Sequence, residues 1–309
     1  MTKQVLILAM MSMLAVTHSH ACDVCGCNLS GVYFGLSPMG NSHFVGLNYQ
    51  RASFRAFIDN DGFYFEDEYS NDVFHRWEVV GRFRLSDRWQ VRVGLPVVYQ
   101  TMEGSQQNLT VSGLADPTVT VHVMPINTGN DFTRDVMHVL MLGTGVKAPL
   151  GQFNLQDQGA RVNPNFQPGT GSWDFLFNAS YTLRWANVGL NVDGTAKYNR
   201  MNPDGYQIGH QMNTMSTLFY FVELPWGSFL PQAGIQWEAG QPHRQEGVVM
   251  GNTGGTNLLG TAGVQFFRKK MGVNVQAQLP FSQRFNTDAN VSIEGGTRVS
   301  VGLLYSLGG

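Results

Sequence analysis

Residues 173–198 constrain this chain more than any other stretch, because they alternate between apolar and polar side chains over two successive runs. In the first run Trp173, Phe175, Phe177, Ala179, Tyr181, Leu183 and Trp185 take the odd positions, against Asp174, Asn178, Ser180, Thr182 and Arg184. After a break at Ala186-Asn187 the pattern resumes, with Val188, Leu190, Val192, Ala196 and Tyr198 against Asn191, Asp193, Thr195 and Lys197. Side chains of a strand point to alternate faces, so each run has one apolar and one polar face. Aromatic residues sit near both ends of the apolar face, where the headgroup level of a bilayer favours Trp and Tyr. The hairpin predicts the repeating unit of a transmembrane β-barrel.

From His43 onward the chain divides into about twelve such runs, over 43–54, 72–86, 88–101, 114–126, 135–149, 172–185, 187–199, 208–224, 227–239, 255–268, 270–282 and 296–307. Trp89, Val91, Val93, Leu95, Val97 and Tyr99 oppose Gln90, Arg92 and Gln100; Val299, Val301, Leu303, Tyr305 and Leu307 oppose Arg298, Ser300 and Ser306. The runs at 114–126 and 135–149 are more uniformly apolar. Connections after even-numbered runs are minimal, as at Ser86-Asp87, Ala186-Asn187, Pro225-Trp226 and Lys269, with Asn127–Arg134 the longer exception. Those after odd-numbered runs are long, as at Arg55–Asn71, Gly151–Gly171 and Gly240–Gly254. Short turns alternating with long loops on an even strand count is the outer-membrane pattern, and it predicts that both termini are periplasmic. A soluble β-sandwich or propeller shares the alternation but not the two classes of loop. The expected fold is therefore all-β: a closed antiparallel transmembrane barrel of about twelve strands, spanning 43–309.

Composition agrees with this reading. Only 14% of residues are charged, against roughly 25% in ordinary soluble domains. A formal net charge of −2 gives no basis for a nucleic-acid partner. Lys3, the apolar run 5–16 and Ser19-His20-Ala21 read as a secretory signal peptide over 1–21, too short for a spanning helix. Residues 22–42 then form a periplasmic cysteine-containing segment or a plug. No later segment is apolar for long enough to be a transmembrane helix.

Three central segments carry a family resemblance: Ser112-Gly113-Leu114-Ala115-Asp116-Pro117-Thr118, Gly145-Val146-Lys147-Ala148-Pro149-Leu150-Gly151, and Gln167-Pro168-Gly169-Thr170-Gly171-Ser172-Trp173-Asp174. Together they resemble the outer-membrane transporter family named after the meta-cleavage pathway of phenol degradation. That family typically has Gly-Leu-Gly-Asp in the first segment and Pro-Thr-Gly in the second; Ala115 and Leu150 depart from these. The resemblance implies a β-barrel that passes small, often aromatic or hydrophobic compounds, and it brings no catalytic residues.

Alternation places Arg76, Glu78, Arg82, Arg84, Arg92, Asp174, Arg184, Asp193, Lys197, Glu223 and Glu238 on the inner face. Either they line a passage and set its charge selectivity, or they pair across a narrow lumen and fill it. Cys22, Cys25 and Cys27 are the only cysteines. Thiolates at that spacing can converge on a soft ion such as Cu or Zn, which makes an envelope metal-handling protein the second functional reading. A disulfide with one spare thiol, or a lipidated Cys22, fits the same residues, although Ser19 stands where a lipidation signal has Leu. The acidic, aromatic loop from Asp59 to Glu68 is read as solvated, with Ca²⁺ binding as the alternative. An outer-membrane hydrolase is the third reading; His43, His75, His122, His138, His210 and His243 are scattered singly, with no nucleophile motif, and His122 is expected to face inward. The reading that fits best is a non-enzymatic channel requiring no cofactor, with outer-membrane lipid and a small solute as partners.

Overall fold

The computed structural model describes residues 43–60, 66–129 and 135–308, and these form a closed twelve-stranded antiparallel barrel. The wall strands are β1 (His43–Ile58), β2 (Glu68–Arg84), β3 (Trp89–Gly104), β4 (Asn108–Leu114 and Thr118–Asn127), β5 (Val136–Lys147) and β6 (Asp174–Trp185). They continue as β7 (Val188–Tyr198), β8 (Gln211–Tyr220 and Val222–Leu224), β9 (Gly227–Gly240), β10 (Gly255–Arg268), β11 (Met271–Phe285) and β12 (Val291–Gly295 and Arg298–Gly308). Each strand pairs with its sequence neighbours, and β1 pairs with β12 from Phe44↔Ser306 to Arg51↔Val299, which closes the ring. Residues 1–21, read from the sequence as a signal peptide, residues 22–42 and the centre of the acidic loop lie outside the described residues.

Burial is inverted relative to a soluble protein. Val79, Leu95, Leu218 and Leu303 are about half exposed on the outer surface, while Asn48, Glu78, Thr217 and Gln265 are buried within. The alternation therefore points its apolar face outward, which is stable only against acyl chains. Exposed Trp89, Trp185, Tyr220, Trp226 and Tyr305 ring the short-turn rim. Toward the other rim lie Tyr49, Trp77 and Tyr99 around His75, whose Nδ1 is 2.8 Å from the Tyr49 hydroxyl. Trp89 and Tyr99 sit on the same face of β3; a ten-residue separation on a strand tilted by ~40° spans ~25 Å, the height of an outer-membrane apolar band.

Four strands differ from the sequence expectation by four residues or more, β1 by running on to Ile58. The fourth starts at Asn108 and is interrupted at Ala115-Asp116-Pro117, where Pro117 has no N–H to give a ladder. The twelfth starts at Val291 and breaks at Gly296-Thr297, and β2 begins at Glu68. Wall height is uneven as a result: β1, β2 and β3 run to 16, 17 and 16 residues, β7 only to 11.

An apolar cluster coats one side of the lumen at the short-turn end, from Phe219 (β8), Leu230 (β9) and Phe267 (β10) to Leu304 (β12), Phe44 (β1) and Val80 (β2), with Phe221 against it. Gly189 is the cross-strand partner of Phe219, and a Cβ there would lie 2.0 Å from the Phe219 ring. A missing side chain is what seats the ring. Gly194, on the outer face of the same strand, has no atom nearer than 3.9 Å to such a Cβ. Gly189→Ala is therefore expected to lower stability by about 1–3 kcal/mol through overpacking, while Gly194→Ala is nearly neutral. Urea unfolding in lipid vesicles, followed by tryptophan fluorescence, measures both.

Candidate functional site

The lumen has two unlike walls. From β9 through β1 it is lined by neutral amides: Gln232, Gln236, Asn257, Gln265, Asn274, Gln276 and Asn48, all buried. They hydrogen-bond to one another, with Gln265 Nε2 donating to Gln232 Oε1 at 3.2 Å. Glu238 on this side accepts from Arg298 at 2.8 and 3.0 Å and from Gln236 Nε2 at 2.8 Å. The opposite wall, from β2 to β7, carries most of the charge.

The inward candidates fall as follows. Arg76 pairs with Glu78 at 3.3 Å, and Arg84 with Asp87 of the β2–β3 turn at 3.1 Å. Arg82 lies over the Phe44 ring at 4.5 Å and Arg184 over Phe221 at 5.3 Å. Arg92 Nη2 reaches Met141 Sδ at 3.3 Å. Asp193 and Lys197 are half-buried on β7. Glu223 is exposed at the short-turn rim. His122 is buried facing inward, its Nε2 2.8 Å from Thr120 Oγ1.

Asp174 belongs elsewhere, in a buried ion cluster at the long-loop ends of β4, β5 and β6. Lys147 Nζ lies 2.7 Å from Asp116 Oδ2 and 2.7 Å from Asp174 Oδ2, and it also contacts Thr170 Oγ1. The three charged side chains are only 6%, 4% and 0% exposed. Asp116 Oδ1 accepts from Gly151 N at 2.9 Å, and its Oδ2 accepts from Thr170 N at 2.9 Å. Asp174 Oδ1 accepts from Ser172 Oγ at 2.8 Å and from Arg200 N at 3.0 Å. The three segments that carried the family resemblance meet here. Gly151 and Gly169 approach so closely that a Cβ on Gly169 would lie 2.4 Å from the Gly151 carbonyl oxygen.

The cluster anchors both ends of the connection between β5 and β6, whose middle turns into the barrel. Leu155, Val162 and Phe166 pack on Phe54, Phe74 and Met102 of the wall, with the Phe74 and Phe166 rings 5.0 Å apart. Gln167 holds that turn together by donating to Val162 O and accepting from Leu155 N, both at 2.9 Å. Beside it a three-stranded patch, Tyr206–Gln207, Arg244–Gln245 and Val248–Val249, covers the rim. An Arg161–Asp204 pair at 3.0 Å joins the two. His243 beneath the patch donates its backbone N–H to Thr253 Oγ1 at 2.7 Å, and its Nδ1 lies 2.6 Å from the Tyr206 hydroxyl. Burial, reinforced by the charge of Lys197, lowers its pKa to about 4.

Sequence reasoning missed Lys147, Asp116 and Thr170 as a unit, and Arg298 as the partner of Glu238. Arg298 was visible as a polar position in its run. Lys147 closes a run whose neighbours are nearly all apolar, which hid its inward direction.

Among the described residues no three His, Cys, Asp or Glu side chains converge as metal ligands. Cys22, Cys25 and Cys27, the residues of the Cu or Zn reading, lie outside the described residues. In the acidic loop, Asp67 Oδ1 accepts from Asn60 N at 3.1 Å on an exposed surface. The remaining histidines meet backbone or a tyrosine: His43 accepts from Arg84 N at 3.2 Å, His210 from Asn199 N at 3.2 Å, and His138 lies 2.7 Å from the Tyr181 hydroxyl.

No protein-family model matches the chain, and no curated protein does either. Among solved structures it is similar to an outer membrane channel from Pseudomonas putida F1, at 15% identity and a TM-score of 0.64, covering 90% of this chain and 98% of that one. It also matches the translocator domain of the autotransporter NalP from Neisseria meningitidis, at 11% identity and a TM-score of 0.41, covering 89% and 90% of the two chains. The first of these establishes the outer-membrane barrel fold; the family named from the three motifs is not reached by any of them.

Removing Lys147 leaves two buried carboxylates facing each other, a loss of about 3–5 kcal/mol for a broken buried pair. Lys147→Met is expected to free the segment between Gly151 and Gly171 to proteolysis and hydrogen exchange while the wall persists. Adding Asp116→Asn and Asp174→Asn is expected to recover part of the protection. His243 gives a pH test. Its folded pKa of about 4 lies below the ordinary histidine value, so between the two the unfolded segment binds the extra proton. The stability that His243 contributes to residues 241–254 is thus fully present above the ordinary value and is lost as pH falls toward 4. Hydrogen exchange of that segment should accelerate over this window, and much less so in His243→Gln.

Proposed function

We propose that this chain is a channel of the bacterial outer membrane that passes small solutes and performs no bond chemistry. One observation carries the reading: a closed barrel whose outward face is apolar and whose inward face is polar and charged. Such a wall is matched to lipid outside and to water and solute inside. The solved channel of similar fold supports the assignment. The short-turn rim, where the wall's first and last described residues His43 and Gly308 are register partners, is periplasmic in this reading, and the long-loop rim faces out. The inward turn of residues 152–166 is the constriction that limits solute size. Transport then depends on lumen width and charge, not on a nucleophile, and the histidine contacts described above assemble no Ser–His–acid arrangement. The solute class implied by the motif resemblance, small aromatic or hydrophobic compounds, belongs to this proposal as an expectation.

Reconstitution in planar bilayers tests it. Wild-type protein is expected to give discrete current steps smaller than those of sixteen-stranded porins, because twelve strands enclose a narrower lumen. Replacing residues 153–166 with a short Gly-Ser linker is expected to enlarge the steps. Silence of both forms in bilayers, together with no solute flux into liposomes, would overturn the channel.

A further inference from the structure

On the lipid-facing surface of β1, β2 and β3, four rings crowd together in register. Tyr49 faces Trp77, and Arg51, His75 and Tyr99 form the next row toward the long-loop rim. Ring centres are 5.4 Å apart for Tyr49 and Trp77 and 5.9 Å apart for His75 and Trp77. His75 lies 6.0 Å from both Tyr49 and Tyr99. Between the four side chains is an open cleft of about 390 Å³. An aromatic belt alone asks only for rings at the headgroup level; here the rings surround an imidazole. With the Tyr49 hydroxyl donating to Nδ1 at 2.8 Å, the ring proton of His75 sits on Nε2, which is then a free donor.

The same row places a cation on the lipid face. Arg51 is exposed, with His75 and Val299 as its cross-strand neighbours. Among the described residues it makes no ion pair. The carboxylates of this face, Glu103 and Glu294, share a register row with Arg55 and Asn71 instead. That row is four residues beyond Arg51 on β1, or ~13 Å along the strand. A charge on the lipid face is costly at the midplane and nearly free at the boundary, so Arg51 and Tyr99 together mark the headgroup level. A cation held there without a carboxylate is matched by a lipid phosphate, which accepts charge-assisted hydrogen bonds.

We propose that this cleft seats one phosphorylated glycolipid of the outer leaflet, its phosphate on Arg51 and His75 Nε2 and its apolar part against Tyr49, Trp77 and Tyr99. The choice of leaflet rests on the reading above in which the long-loop rim faces out. Native mass spectrometry of the full-length barrel, released from detergent and titrated with bisphosphorylated lipid A, tests the site. Saturable retention of one lipid A per barrel is expected, weakened about fivefold in Arg51→Gln and several-fold in Trp77→Leu, with Arg55→Gln close to wild type. Lipid A stripped of its phosphates and phosphatidylglycerol are expected to be retained far less. Heat-dependent gel migration verifies that each variant is folded, and His75→Gln serves if Arg51→Gln does not assemble. Equal retention by wild type and both variants, or dephosphorylated lipid A or phosphatidylglycerol held as tightly as lipid A, would overturn the site. Labelling of Val248→Cys on intact cells with a membrane-impermeant maleimide checks the orientation separately. No labelling above wild type would overturn the glycolipid as the occupant, whatever the titration gives. Retention of lipid A requires no conduction, so a barrel silent in bilayers sinks the channel and leaves this site standing.

Discussion

Every peptide group in a bilayer must find its hydrogen-bond partner within the protein, because acyl chains offer none. For strands this demand has one solution, a sheet with no edges. The pairing of β1 with β12 removes the two edges that a chain of hairpins otherwise leaves, and most of the architecture follows from it. Strand number fixes lumen width, since diameter grows with the number of strands. Antiparallel hairpins fix the alternation of rims, with tight turns at one end and freedom for insertion at the other. The insertion between β5 and β6 uses that freedom, folding inward where a soluble protein would leave an exposed loop.

Closure also decides where charge is tolerated. On the lipid face a charged side chain is costly near the midplane, so the outer surface of each strand is apolar between its aromatic ends. The inner face bears no such penalty from lipid, but in a narrow lumen it is partly dehydrated. Buried charges there need partners, or they lose stability to desolvation. Arg76 with Glu78, Glu238 with Arg298, and Lys147 with Asp116 and Asp174 meet this requirement directly. The amide wall meets it in another way, by removing formal charge and keeping hydrogen-bonding capacity.

What the sequence made legible follows the same division. Strand faces repeat every second residue, so Trp173–Tyr198 declared its two surfaces without reference to anything distant. Turn length was legible too, since Ala186-Asn187 leaves room for nothing but a tight reversal. What escaped was information held between strands. Asn108–Leu114 looked like loop because its outward residues Asn108, Thr110 and Ser112 are polar, and the strand extends the wall beyond the apolar band. Alternation assigned Asp174 to the inner face, but nothing local said that it would meet Lys147 and Asp116. The three motif segments marked the right residues without stating that they converge, because the contact joins positions up to 54 residues apart.

That convergence bears on how a rigid wall can hold a mobile-looking insertion in one place. The connection from Ala148 to Trp173 is long enough to adopt many conformations, and fixing each residue costs about 1–2 kcal/mol of backbone entropy. Apolar contacts of Phe166 and Val162 with the wall offset part of this, but they specify direction poorly. The ion cluster supplies direction. Asp116 binds the backbone at Gly151 and at Thr170, near the two ends of the insertion, while Lys147 and Asp174 belong to the strands that launch and receive it. The interrupted ladder at Ala115-Asp116-Pro117 releases Asp116 from the sheet to do so. A break in one strand, the least sheet-like place in the wall, is therefore what positions the inward turn of residues 152–166.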